Sequence, residues 1–231
     1  MELFLLIGQS NMAGRGIVGP GDRVTHPRIF MLTKDLRWAL ATDPVHFDKP
    51  IAGVGLCSEF ARVLVTSDPK IVVGLIPCAV GGTSLDEWRP GGALYTNAVA
   101  RTREAMKRGT LAGILWHQGE ADIAHEKVMT YGDRFASMIA HLRDDLGAEG
   151  VPVVIGEIGR FRPDNVEFNA GVPGFARRVP RCSYVTTDGL TDKGDGLHFD
   201  TPSLYILGQR YAAAYAALAN QYPRGAAAAS P

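Results

Sequence analysis

The chain has no surplus of either charge: 24 Lys and Arg stand against 24 Asp and Glu over 231 residues, a formal net charge of zero. Without that surplus, no long-range field draws it to a phosphate backbone or an anionic lipid surface. Neither nucleic acid nor membrane is expected as a partner, and a small neutral substrate fits the balance better. No apolar run reaches the length of about 18 residues that a membrane span needs. Ahead of the short apolar opening, Leu3 to Ile7, there is no basic segment of a secretory signal, so the expected location is cytoplasmic. The three cysteines, Cys57, Cys78 and Cys182, are odd in number and lack C-x-x-C spacing. That argues against a disulfide framework or a zinc knuckle and leaves them as small core residues. Glycines at 8, 14 and 16 match neither G-x-G-x-x-G nor the P-loop, and no zinc, EF-hand or H-E-x-x-H spacing is present. No nucleotide, metal or other cofactor is therefore expected. There is no internal repeat and no dividing linker, so residues 1–223 read as one domain and 224–231 as a low-complexity tail.

Five apolar, β-branched segments have strand length: Leu3–Ile7, Ile71–Ile76, Leu111–Trp116, Val153–Ile158 and Ser183–Thr187. Between them lie helical patterns, clearest at Phe135, Met138, Ile139, Leu142 and Leu146, whose spacing places one apolar stripe on a helix. Nearly continuous apolar strands alternating with amphipathic helices predict a five-stranded parallel sheet covered on both faces, a doubly wound α/β/α arrangement. The last helix is expected from Pro202 to Tyr222 with Thr201 as its N-cap. Residues 14–55, rich in Gly, Pro and Asp, show no period and read as a long functional loop.

In open parallel sheets the ligand crevice lies beyond the carboxyl ends of the strands. Here those positions carry G-Q-S-N-M, A-V-G-G-T-S-L-D-E-W, H-Q-G-E-A-D and D-G-L-H. A serine hydroxyl attacks poorly unless an imidazole takes its proton, and the imidazole needs a carboxylate to fix its tautomer. Ser10, His198 and Asp195 supply these three groups, with Asp195 near enough in sequence for one tight turn to present it beside His198. The tetrahedral intermediate also needs donors for its oxyanion. The Ser10 backbone N–H, an N–H of the Gly81-Gly82 pair, with Gly82 favoured, and the Gln118 amide are the candidates.

These blocks resemble the SGNH hydrolases, and within them the carbohydrate acetylesterase branch that includes acetylxylan esterases and sialate O-acetylesterases. The resemblance spans most of the chain. It implies a flavodoxin-like SGNH fold and a cofactor-free serine esterase acting on an acetylated sugar, with Ser10 as nucleophile, Gly82 and Gln118 as oxyanion donors, Asp195 as acid and His198 as base. Gln9, where aspartate often precedes the serine, and Gln118, in place of asparagine within W-H-Q-G-E, both point to this branch. Larger members carry inserted or appended β domains, and substrate contacts from such parts are not expected within these 231 residues.

Other residues admit competing readings. Glu120 is an alternative to Asp195 as the group that orients His198, with Asp195 favoured. His117 reads as a packing or orienting residue beside Gln118, and His26, His46, His125 and His141 as solvent-facing. Asn11, Asp86, Trp88 and Arg89 are candidates for lining the substrate pocket, Arg89 by recognising a carboxylate. An esterase or thioesterase for longer acyl chains and a non-catalytic sugar-binding module are the rival functions.

Overall fold

A computed structural model describes residues 1–222; the tail expected from residue 224 onward lies outside them. In chain order the elements are β1 (Glu2–Gly8), α1 (Ser10–Ala13), β2 (Ile29–Leu32), β3 (Trp38–Leu40), α2 (Leu56–Ser67), β4 (Val73–Pro77), α3 (Ala93–Met106), β5 (Thr110–His117), α4 (His125–Leu146), β6 (Val153–Gly156), α5 (Val166–Arg177), β7 (Cys182–Val185) and α6 (Thr201–Gln221).

The strands form one sheet in the order β3-β2-β4-β1-β5-β6-β7, parallel except for the β2–β3 pair. All five expected strands are present and adjacent, but the sheet has seven strands, not five. The two additions fall within the segment read as a long loop. At four and three residues they are too short to show alternation. Their connecting turn uses Leu36 at φ 59°, so it lacks the glycine that usually marks a hairpin.

Strand periodicity divides the core between the two faces. Leu3, Leu5 and Ile7 of β1 face a cluster built with α3, α4 and α5. Phe4 and Leu6 face the opposite cluster, built with α2 and α6. On α4 the predicted stripe is buried and continues to Val128 and Tyr131. Gly147, left-handed at φ 58°, ends that helix. The cap of α6 is Asp200, whose carboxylate accepts the Ser203 N–H at 2.8 Å; Thr201 is already helical and donates instead to the Ile17 carbonyl. The expected cap was thus one residue late.

After β1 the chain lays β2 and β3 at the outer edge on one side, comes back to place β4 beside β1, and then crosses over to lay β5, β6 and β7 on the other side. The carboxyl end of β1 is therefore where the winding reverses, the place at which doubly wound sheets bind ligands.

Candidate active site

Gly8 makes the turn out of β1. Its φ is +132°, and a Cβ there would sit 2.1 Å from the His117 carbonyl oxygen, so only glycine lets the two strand ends approach this closely. Two residues on, Ser10 opens α1. Its N–H belongs to a first helical turn and has no intrahelical acceptor.

The structure brings Ser10, His198 and Asp195 together from opposite ends of the chain. His198 Nε2 lies 3.1 Å from Ser10 Oγ, and His198 Nδ1 lies 2.7 Å from Asp195 Oδ2. With Nδ1–H donating to the carboxylate, Nε2 keeps a lone pair for the serine proton. The other Asp195 oxygen accepts the Leu197 and His198 backbone N–H groups at 3.0 and 2.8 Å, making the tight turn that the D-G-L-H spacing predicts. Partial burial pushes the Asp195 carboxyl up, but those N–H groups and the imidazole outweigh it and hold the group down at about 2.

Asn11 does not line a pocket. Its Nδ2 donates to the Leu197 carbonyl at 3.1 Å and its Oδ1 accepts the Phe199 N–H at 3.2 Å, so it clamps the chain on both sides of His198. The same Nδ2 donates to Glu120 Oε1 at 2.5 Å. Glu120 therefore engages Asn11 and not His198. Burial raises its pKa and its second oxygen has no partner. The alternative acid is placed one residue away from that role.

Gln118 is also corrected. Its Nε2 donates to the Thr83 carbonyl at 3.1 Å and to Asp122 Oδ2 at 2.7 Å, while its Oε1 accepts the Tyr131 hydroxyl at 2.7 Å. An amide has two N–H donors, and both are engaged. Gln118 is fully buried and holds the loop after β4; it does not offer a donor to an oxyanion. Within that loop the Gly81 N–H donates to Asp48 at 2.8 Å, whereas the Gly82 N–H, at φ +85°, meets no acceptor among the described residues.

Trp88 is core. It is 1% exposed, its ring meets Trp116 edge-on at 5.6 Å, and its indole N–H donates to Thr83 Oγ1. Arg89 is exposed and bonds the Asp86 carbonyl, while Asp86 pairs with Arg134 at 2.5 Å; both residues border a surface hollow beside α4, away from the Ser10 contacts. His117 is buried, with Nδ1 3.0 Å from the Tyr211 hydroxyl, and burial lowers its pKa to about 3. His46 is buried rather than solvent-facing. Cys57 and Cys78 are core residues as expected, and Cys182 is partly buried. Sequence reasoning passed over Arg15 and Asp48, which form an ion pair at 2.6 Å beside the serine; they lie in a stretch without a motif.

A doubly wound fold with a hydroxyl, an imidazole and a carboxylate in line at the reversal point describes a carboxylic ester hydrolase. Residues 1–217 match the family model described as carbohydrate esterase, sialic acid-specific acetylesterase, and the chain belongs to that family, a class of esterases acting on acetylated carbohydrates. A probable carbohydrate esterase of Arabidopsis thaliana is 34% identical over 93% of this chain and 90% of its own length. The crystal structure of that plant protein superposes with a TM-score of 0.87 at 32% identity, covering 94% of this chain and 98% of the other. In fold alone, the chain is similar to NanS, with a TM-score of 0.78 at 19% identity over 95% and 98% of the two chains. It is likewise similar to a carbohydrate acetylesterase from Xanthomonas citri, with a TM-score of 0.72 at 18% identity over 95% of this chain and 57% of the other. Among the described residues no helix is long and apolar enough to cross a membrane.

Proposed function

We propose that the chain removes O-acetyl groups from sugars, either acetylated xylo-oligosaccharides or O-acetyl sialic acids, through an acyl-enzyme on Ser10. The observation that carries this reading is the hydrogen-bonded line from Asp195 Oδ2 through His198 to Ser10 Oγ, at 2.7 and 3.1 Å. His198 Nε2 takes the serine proton as Oγ attacks the acetyl carbonyl. The oxyanion is received by the Ser10 and Gly82 N–H groups, each such donor commonly contributing about 3–4 kcal/mol in the transition state. The intermediate collapses as the imidazolium returns its proton to the departing sugar oxygen. A water molecule, deprotonated by the same nitrogen, then attacks the acyl-enzyme, and acetate leaves with the serine hydroxyl restored. The five parallel strands in the order second, first, third, fourth, fifth support reading the scaffold as a flavodoxin-like SGNH fold.

The test is turnover of a simple acetyl ester by the unaltered chain and by Ser10→Ala, followed by a screen of acetylated xylo-oligosaccharides against O-acetyl sialic acids. Ser10→Ala should lose activity by at least about 10⁴-fold. Turnover retained in that variant overturns the nucleophile. A preference for octanoyl over acetyl esters overturns the substrate class, because a lipid-type pocket gains with each added methylene.

A further inference from the structure

The geometry points to Arg15 and Asp48 as a buried brace that positions the Gly82 donor for the transition state, a role that rests on the esterase reading above. Arg15 Nη2 lies 2.6 Å from Asp48 Oδ2 and Nη1 lies 3.3 Å from Oδ1, a two-point pairing with the two side chains only 2% and 1% exposed. Both partners do more than neutralise each other. Arg15 Nη1 donates to the Gly14 carbonyl at 2.7 Å, and Asp48 Oδ2 accepts the Gly81 N–H at 2.8 Å. Because Arg15 follows α1 by two residues, the pair fastens the loop after β4 to the segment that carries the nucleophile.

The fit is close. A Cβ on Gly81 would lie 2.4 Å from Arg15 Nη2 and 3.3 Å from Ser10 Cβ, so the backbone of residue 81 is held between the ion pair and the serine. Engaging the Gly81 N–H leaves the Gly82 N–H as the next donor along the loop, without a protein acceptor. Stability alone does not account for the pair. Two charges taken out of water each carry a penalty of several kcal/mol, and apolar residues of similar volume commonly hold a fold as well. What apolar residues cannot do is accept the Gly81 N–H. Asp48 and Arg15 are positioning residues: neither touches the reacting atoms, and both act through Gly81.

The test compares the unaltered chain with Ser10→Ala, Asp48→Ala, Asp48→Asn and the double variant Arg15→Met, Asp48→Leu. It measures kcat and KM on p-nitrophenyl acetate, inhibition by methaneboronic acid, whose adduct mimics the tetrahedral intermediate, and Tm. Asp48→Ala should lower kcat by roughly 10- to 100-fold with KM within about twofold, and weaken boronate inhibition by a similar factor. Asp48→Asn, whose amide oxygen still accepts the Gly81 N–H, should recover most of both. The double variant should melt near the parental Tm and remain slow. The brace is overturned if Asp48→Ala keeps its kcat, if its loss lies wholly in KM, or if the folded double variant turns over at the parental rate. Those outcomes leave the esterase reading standing as long as Ser10→Ala is inactive. An unaltered chain that neither hydrolyses the ester nor binds the boronate overturns both.

Discussion

Ser10 and the loops after β4 and β5 lie in buried surroundings: Gln118 donates to the Thr83 carbonyl and to Asp122, Asp122 accepts the Leu85 N–H, and Asn11 donates to Glu120. Asp195 and His198 ride on a turn whose side chains are 37% and 15% exposed, shaped by backbone N–H groups closing on carboxylates. Ser10 and the Gly82 N–H are thus set by packing, whereas Asp195 and His198 are set by a local turn and the Asn11 clamp. A fixed oxyanion site needs no reorganisation during reaction. The imidazole must exchange a proton with substrate and water, and a partly open turn permits that.

The difference between the exposed and the buried carboxyl gives the largest expected effect. Asp195→Asn can keep its amide oxygen on the Leu197 and His198 N–H groups but turns an NH2 donor toward Nδ1, which favours the wrong imidazole tautomer and should reduce kcat by roughly 10⁴-fold. Glu120→Gln should stay within about threefold, because burial already favours the uncharged Glu120 and an amide oxygen still accepts from Asn11. Steady-state kinetics on one acetyl ester compares them directly. A severe loss in Glu120→Gln with a mild one in Asp195→Asn would exchange the two roles.

Asn11 tests whether the open turn depends on the buried side. Asn11→Ala leaves the Leu197 carbonyl and the Phe199 N–H without partners and frees the chain around His198. It should lower kcat by roughly 10- to 100-fold with a small change in KM. Retention of full kcat would mean that the Asp195 turn holds the imidazole without help.

How much of this was legible in the sequence follows the same division. The turn could be read, because a carboxylate three residues before a histidine, with glycine between, has few local conformations. Four of the five expected strands, β1, β4, β5 and β6, could be read because they are apolar on both faces, and β7, at the edge with Tyr184 exposed, by its β-branched and aromatic residues. The β2–β3 pair could not, being too short to show a period and turning at Leu36. Nor could the occupation of Gln118, since an amide's partners come from Thr83, Asp122 and Tyr131, brought together only by packing. Trp88 and Arg89 show the same limit: adjacent in sequence, one is core and the other solvent-facing.

Among the buried carboxylates of residues 14–55, Asp48 and Asp43 differ in partner, and the difference predicts a pH effect on stability. Asp48 is held below the usual carboxylate range: burial opposes this, but Arg15 and the Gly81 N–H prevail. Asp43 has one oxygen without a partner and the other 3.4 Å from the Gly55 N–H, and burial pushes it up to about 6 from 3.8. Its raised pKa favours the folded state at low pH. That contribution is complete below about pH 3.8 and is lost as pH rises through about 6. At pH 7 the unaltered chain therefore carries a buried charge that Asp43→Asn removes, and the variant should gain up to about 2–3 kcal/mol there and nothing near pH 3.5. Denaturant unfolding of both proteins across this range checks it. A stability difference that does not vary with pH would show that Asp43 does not titrate between the two states.

The smallest expected effect concerns Arg89, a candidate from the sequence either for recognising a substrate carboxylate or for a solvated loop. Its guanidinium bonds the Asp86 carbonyl at the edge of a hollow shared with Asp133 and Arg134, and none of these residues hydrogen-bonds to Ser10, His198 or Gly82. An exposed side chain with one such bond contributes little to stability, within about 0.5 kcal/mol. Arg89→Ala should leave kcat/KM within about twofold on a neutral acetyl ester and on an acidic acetylated sugar alike. The acidic substrate decides the matter. A loss above about tenfold confined to it would place its carboxylate on the α4 side of the site and give Arg89 the role that its present contacts deny it.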